Sequence, residues 1–196
     1  MDAGSWRRNA NIPNTLTLVR IFMVPVFLWL LLAEGGEETG LRWWAAGVFA
    51  VAAATDRLDG YLARRNGTVT TFGIVADPIA DKALTGSGFV ALSILDVLPW
   101  WVTVLVLGRE IGVTALRAAV IRHTVVPASK GGKLKTVLQT VALTVLVAPL
   151  PALLTTVGYV IMAAAVLVTL VTGVQYTIAI LGAARRHRAG VTGPTT

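Results

Sequence analysis

The stretch "DRLDGYLARR", residues 56–65, closes an apolar run that begins near residue 41, and it sets two aspartates and three arginines where the chain around it avoids charge. On an α-helix each residue turns about 100°, so with Asp56 at zero, Asp59, Ala63, Gly60 and Arg64 fall within roughly 80° either side of it. These residues share one face. A little further on, "GIVADPIAD" (residues 73–81) repeats the arrangement, because Gly73, Asp77 and Asp81 stack along about 12 Å of a second helix. Two acidic faces can then oppose each other at one membrane depth. Charges in a membrane span are costly and ordinarily face the bundle interior or a water-filled cavity, where they serve function. Four carboxylates together repel and take up protons unless cations neutralise them. A hard divalent cation, Mg²⁺ or Mn²⁺, held by oxygen and sharing its remaining sites with water and phosphate oxygens, meets that need. Gly60, Ala63 and Gly73 leave room for a bulky ligand near backbone, and Arg64 can donate a bidentate pair to a diphosphate.

The composition agrees. Of 196 residues, 55% are hydrophobic and only 14% charged, with a mean hydropathy of +0.73, which is too apolar for an ordinary soluble domain. The expected fold is an all-α integral membrane protein with six transmembrane helices, over 14–33, 41–65, 72–95, 99–121, 133–153 and 156–184, after a short N-terminal interfacial segment. Residues 1–190 form one membrane domain on this reading, and 191–196 a disordered tail. A cleavable signal peptide fits poorly, since the first apolar run continues to about Ala33 without a small-residue cleavage site. Basic residues gather in the terminal segments and in the loops after the second and fourth spans, whereas the opposite side offers only Arg42, so both termini are expected in the cytosol. Trp43, Trp44, Trp100 and Trp101 then anchor the outer interface. With no cysteine, disulfides and thiolate metal sites are excluded. The net charge of +7 belongs to loops beside anionic lipid, and nothing suggests nucleic acid as a partner.

Read as a pattern, residues 56–81 are D-x-x-D-G-x-x-A-R-x8-G-x-x-x-D-x-x-x-D, which resembles the signature of the CDP-alcohol phosphatidyltransferases with every fixed position matched. The resemblance implies a six-helix membrane enzyme, commonly a homodimer, that joins an alcohol to a phosphatidyl or similar group from a CDP-linked donor and releases CMP. It further implies that Asp56, Asp59 and Asp77 bind two Mg²⁺ or Mn²⁺ ions, that Asp81 sits at this metal site as general base, and that Asp56, Gly60, Ala63, Arg64 and Gly73 line the nucleotide and diphosphate site. "NIPNTLTLVRIFMVPVF" (11–27), "GREIGVTALR" (108–117) and "ASKGGKLKT" (128–136) resemble the members that take glycerol 3-phosphate as acceptor, CDP-diacylglycerol as donor and yield phosphatidylglycerol phosphate. The location implied is a bacterial plasma membrane, with the active site facing the cytosol.

The basic residues make separate sense of that acceptor. Arg109 and Arg117 lie about 80° apart on one helix, hence on one face. Arg109 is well inside its span and should face Glu110, a metal-site carboxylate or an anionic substrate. Lys130, Lys133 and Lys135 cluster at the start of the fifth span, where they can hold a phosphomonoester or touch anionic lipid. These five are the candidate acceptor ligands. Arg20, lodged in the first span, either braces the bundle or touches the donor. Lys82 snorkels or pairs with its acidic neighbours. Two rival readings stand beside this one: a sibling enzyme whose acceptor is inositol phosphate or phosphatidylglycerol, and a divalent-cation transporter. The transporter predicts acidic residues spread across membrane depth, and here they sit at one end.

Overall fold

The structure is a computed structural model. It describes the backbone over residues 12–66, 71–120 and 130–188, and side chains over 17–55, 79–116 and 131–179. The expected interfacial segment and tail lie outside these residues. Six α-helices and no strand are found among them: α1 (Ile12–Leu32), α2 (Thr39–Asn66), α3 (Thr71–Ile94), α4 (Trp100–Val120), α5 (Lys130–Val147) and α6 (Ala152–Arg188), with a 3-10 turn over Ala33–Gly36. They follow the expected spans. The largest difference is that α5 stops at Val147 and α6 starts at Ala152: Pro149 and Pro151 fall between them, and two prolines two residues apart remove two backbone donors and disfavour helical backbone in the residue before each.

The chain folds back on itself at tight, satisfied turns. Glu34, Gly35 and Gly36 all take positive φ. A Cβ on Gly36 would come within 2.7 Å of the Leu95 side chain, so glycine is required there by both backbone and neighbour. Glu38 then caps α2, its carboxylate accepting from the backbone N–H of Gly40 at 3.1 Å and from that of Leu41. At the end of α5 the Arg42 guanidinium donates to the carbonyls of Val147 and Leu146, both at 3.0 Å, satisfying helix-end acceptors that would otherwise lack partners. Tyr159 on α6 donates to Val97 O in the α3–α4 turn at 3.0 Å.

α1 packs on α2 and α3, α6 packs on α5 and α4, and α5 also touches α2 and α3. The packed apolar core occupies one end of this bundle. Phe27, Leu31, Phe49, Phe89, Leu92, Val106, Leu143, Leu146 and Met162 meet there, and the Phe27 and Phe49 rings lie 5.2 Å apart. Towards the other end the interior turns polar: Arg20 is 1% exposed and Lys135 6%, with Gln139, Thr169 and Thr172 also buried. The outside is the reverse, with Phe22 71% and Leu153 77% exposed among many large apolar side chains. Polar inside and apolar outside is the distribution a helix bundle takes when lipid is its solvent. By length and hydropathy alone, the stretches 17–36 and 152–179 suffice to cross a bilayer.

Candidate active site

The four signature aspartates lie on helices, as their spacing requires. Asp56, Asp59, Gly60, Ala63 and Arg64 ride on the last turns of α2, and Gly73 and Asp77 on the first turns of α3. Their side chains fall outside the described residues, as do those of Arg117 and Lys130. Asp81 is described, and it opens onto a cavity of about 240 Å³ between α3, α4 and α5. Since a water's share of liquid volume is about 30 Å³, this space holds more than a solvent molecule or two.

Its lining mixes two kinds of group: the charged Asp81, Lys82, Glu110 and Lys135, and the apolar Gly86, Val106, Leu107 and Ile111. Ile111 is 68% exposed, so part of the apolar lining reaches the outer surface. Charge is concentrated: Asp81 lies within electrostatic reach of Arg20, Glu110, Lys135 and Lys82. Lys82 reaches across to α4 and donates to Thr114 Oγ1, within electrostatic reach of Asp81. Arg20 donates from Nε to Ala52 O on α2 at 3.2 Å, one turn before Asp56.

A polar seam ties the cavity to α6. Glu110 Oε1 accepts from Lys135 Nζ and from Arg109 Nη1, the latter at 3.1 Å. Arg109 Nη2 donates to Thr172 Oγ1 at 3.0 Å, and one turn along α5, Gln139 Nε2 donates to Thr169 Oγ1 at 3.2 Å. Thr172 and Thr169 in turn donate to carbonyls one turn back, Val168 O and Ala165 O, at 2.7 and 2.6 Å. Every link therefore joins two helices or anchors one.

The expected acceptor cluster is divided by this geometry. Lys135 lines the cavity with Asp81. Arg109 takes the first of its expected partners, Glu110, and turns its other nitrogen to α6, where it borders a shallow groove with Gly112 and Gly173. Lys133, two residues before Lys135, is exposed. Glu110 is the residue the sequence left without a role, although a carboxylate in mid-span beside an arginine was a visible signal.

Among the described residues no three side chains converge as a metal cage. The described carboxylates lining the cavity are Asp81 and Glu110, and a carboxylate oxygen such as that of Asp81 is the donor type a hard divalent cation takes.

A helical bundle with an apolar exterior, an aspartate-bearing helix pair and a charged cavity defines a class, and comparison with known proteins gives it a family. The model of the CDP-alcohol phosphatidyltransferase family matches residues 10–171, and this chain belongs to that family of membrane-associated enzymes. Its relatives include a Mycobacterium tuberculosis protein called probable phosphatidylglycerophosphate synthase, 56% identical over 169 residues that make up 86% of this chain and 81% of that one. A Bacillus subtilis protein called CDP-diacylglycerol–glycerol-3-phosphate 3-phosphatidyltransferase is 38% identical over 146 residues, 69% of this chain and 76% of that one. One of the same name from Rickettsia prowazekii is 37% identical over 176 residues, 87% of this chain and 95% of that one.

Proposed function

We propose that this chain transfers the phosphatidyl group of CDP-diacylglycerol to sn-glycerol 3-phosphate, giving phosphatidylglycerol phosphate and CMP, in phospholipid biosynthesis. The observation that carries the reading is the shared cavity of Asp81 and buried Lys135, lined by charged and apolar side chains together. A lipid-borne phosphate and a water-soluble one need such a meeting place. The relatives' names supply the acceptor, and the buried lysine is consistent with it, since an ammonium held out of water binds a phosphomonoester strongly.

In this reading the acceptor's primary hydroxyl attacks the phosphorus that bears the lipid, the bond from that phosphorus to CMP breaks, and Asp81 takes the hydroxyl proton. A positioned base of this kind contributes about 10²–10⁴-fold. Mg²⁺ or Mn²⁺, two ions held by Asp56, Asp59, Asp77 and Asp81, would supply charge neutralisation for the diphosphate. Asp56, Gly60, Ala63, Arg64 and Gly73 bind the nucleotide and diphosphate. Lys135 holds the acceptor's phosphate in the cavity, and Arg109, Arg117, Lys130 and Lys133 add positive charge around its approach. The transfer is direct and uses no enzyme nucleophile.

The same reading has all six helices crossing a bacterial plasma membrane with both termini in the cytosol, and two chains associating as a homodimer. Exposed Trp43 and Trp44 at the start of α2, and Trp100 and Trp101 at the start of α4, lie at the apolar-core end, which supports placing that end at the far interface. The test is to give purified protein labelled CDP-diacylglycerol, Mg²⁺ or Mn²⁺ and a panel of acceptors: glycerol 3-phosphate, inositol phosphate and phosphatidylglycerol. Label passing to phosphatidylglycerol phosphate is expected. Preference for another acceptor would reassign the chain within its family.

A further inference from the structure

Glu110 is absent from the signature and takes no part in the transfer described above, yet it is the hub of the polar seam. Its Oε1 accepts from Lys135 Nζ and from Arg109 Nη1. The two cations are held unequally. Arg109 has a second tether, Thr172 Oγ1 at 3.0 Å, and its stem lies against Gly173, where an added Cβ would come within 3.2 Å of Nε. Lys135 has Glu110 as its hydrogen-bond partner among the described residues, on a flexible four-carbon stem. Asp81 lines the same cavity from α3 and lies within electrostatic reach of Lys135.

Resting on the reading that Asp81 holds a divalent cation, we infer that Glu110 is a positioning residue whose carboxylate keeps the Lys135 ammonium off Asp81, leaving that carboxylate open to the metal. Two opposite charges in a cavity with apolar walls attract far more strongly than in water, so a lysine released from Glu110 closes on the remaining carboxylate. An ammonium on Asp81 competes directly with a divalent cation for the same oxygens. Glu110 prevents this by offering a nearer anion on α4, and Arg109 keeps that anion in place from the α6 side. One oxygen thus separates the cation that recognises substrate phosphate from the carboxylate that binds metal. The sequence supplies the logic in compact form: "RE" at 109–110 places the anchor and the hub side by side, and Lys135 arrives from α5.

The test reads metal binding directly, without turnover. Detergent-purified full-length protein, free of substrate, is titrated with Mn²⁺, and the free aqueous ion is counted by its electron paramagnetic resonance signal. Wild type, Glu110→Gln, Lys135→Met and the double variant Glu110→Gln/Lys135→Met are compared, with melting temperature as a control on folding. Glu110→Gln is expected to weaken Mn²⁺ binding at least tenfold. Lys135→Met should bind at least as tightly as wild type, and the double variant should return to within threefold of it, because the competing ammonium is gone. A purely structural role for Glu110 predicts no such recovery. Should Glu110→Gln not survive extraction, Glu110→Asp carries the test: it keeps the charge but withdraws it by one carbon, and a smaller loss, again recovered by Lys135→Met, is expected. Unchanged affinity in the Glu110 variants, or a double variant that stays weak, overturns the inference while leaving the metal site standing. Wild type that takes up no Mn²⁺ overturns the metal reading together with it.

Discussion

Lys133 and Lys135 are two residues apart on α5, have the same charge and face different surroundings, so they give a sharp test of the acceptor site. Lys133 is exposed, whereas Lys135 is 6% exposed, lines the Asp81 cavity and donates to Glu110. A hydrogen bond from a buried charged group contributes about 1.5–3 kcal/mol. At about 1.4 kcal/mol per decade, Lys135→Gln should lower kcat/KM for glycerol 3-phosphate roughly 10–150-fold. An exposed charge acting through solvent is worth about 1 kcal/mol at most, so Lys133→Gln should cost roughly fivefold or less. The fold should tolerate either change. In Lys135→Gln the Glu110 carboxylate keeps Arg109 as counter-charge at 3.1 Å, and no buried anion is left alone. The assay is CMP release at saturating CDP-diacylglycerol with glycerol 3-phosphate varied, repeated with the donor varied. The loss should fall on the acceptor dependence. If Lys133→Gln matched or exceeded Lys135→Gln, or if Lys135→Gln raised the donor requirement alone, the assignment of the cavity to the acceptor phosphate would fail.

Two further predictions concern the scaffold at the apolar end. Arg42→Ala removes two guanidinium hydrogen bonds to the last carbonyls of α5, and should destabilise the extracted protein by about 1–3 kcal/mol, read as a lower melting temperature with the acceptor dependence unchanged. Gly158→Ala drives a methyl to 2.8 Å from Val145 Cγ1 and 3.0 Å from Leu146 Cδ2 where α6 crosses α5, and the overpacking should cost about 1–3 kcal/mol by the same measurement. A melting temperature equal to wild type in either case would show that the contact is not made in the folded protein.

The helices were legible because a long apolar run pairs its own N–H and C=O groups most readily as a helix, and the runs read from hydropathy coincide with α1 to α6 to within about four residues everywhere but the end of α5. The α5–α6 boundary was read less well, since hydropathy does not register the two backbone donors lost within three residues at Pro149 and Pro151. The aspartate helices were legible as helices from their spacing, and Asp81 facing a cavity follows from the cost of leaving a carboxylate in lipid. What the sequence could not order was the basic residues. Clustering on the chain groups Lys133 with Lys135, yet a helix turns them about 200° apart, so one reaches the interior and its neighbour the surface. Nor could it settle Glu110, whose partners come from the adjacent residue and from α5, 25 positions further on. Such a pairing depends on which faces of two helices meet. The long-range link of Arg42 to the end of α5 was hidden for the same reason.

The most direct measurement is CMP release by Asp81→Asn. Asparagine keeps the shape of the side chain and its place between α3, α4 and α5 but can neither take the hydroxyl proton nor balance a divalent cation. Turnover should fall by about 10²–10⁴-fold or more, with the melting temperature close to wild type and membrane extraction intact. Turnover near the wild-type rate in that variant would contradict the account, because the cavity's carboxylate would then not be where the transfer takes place.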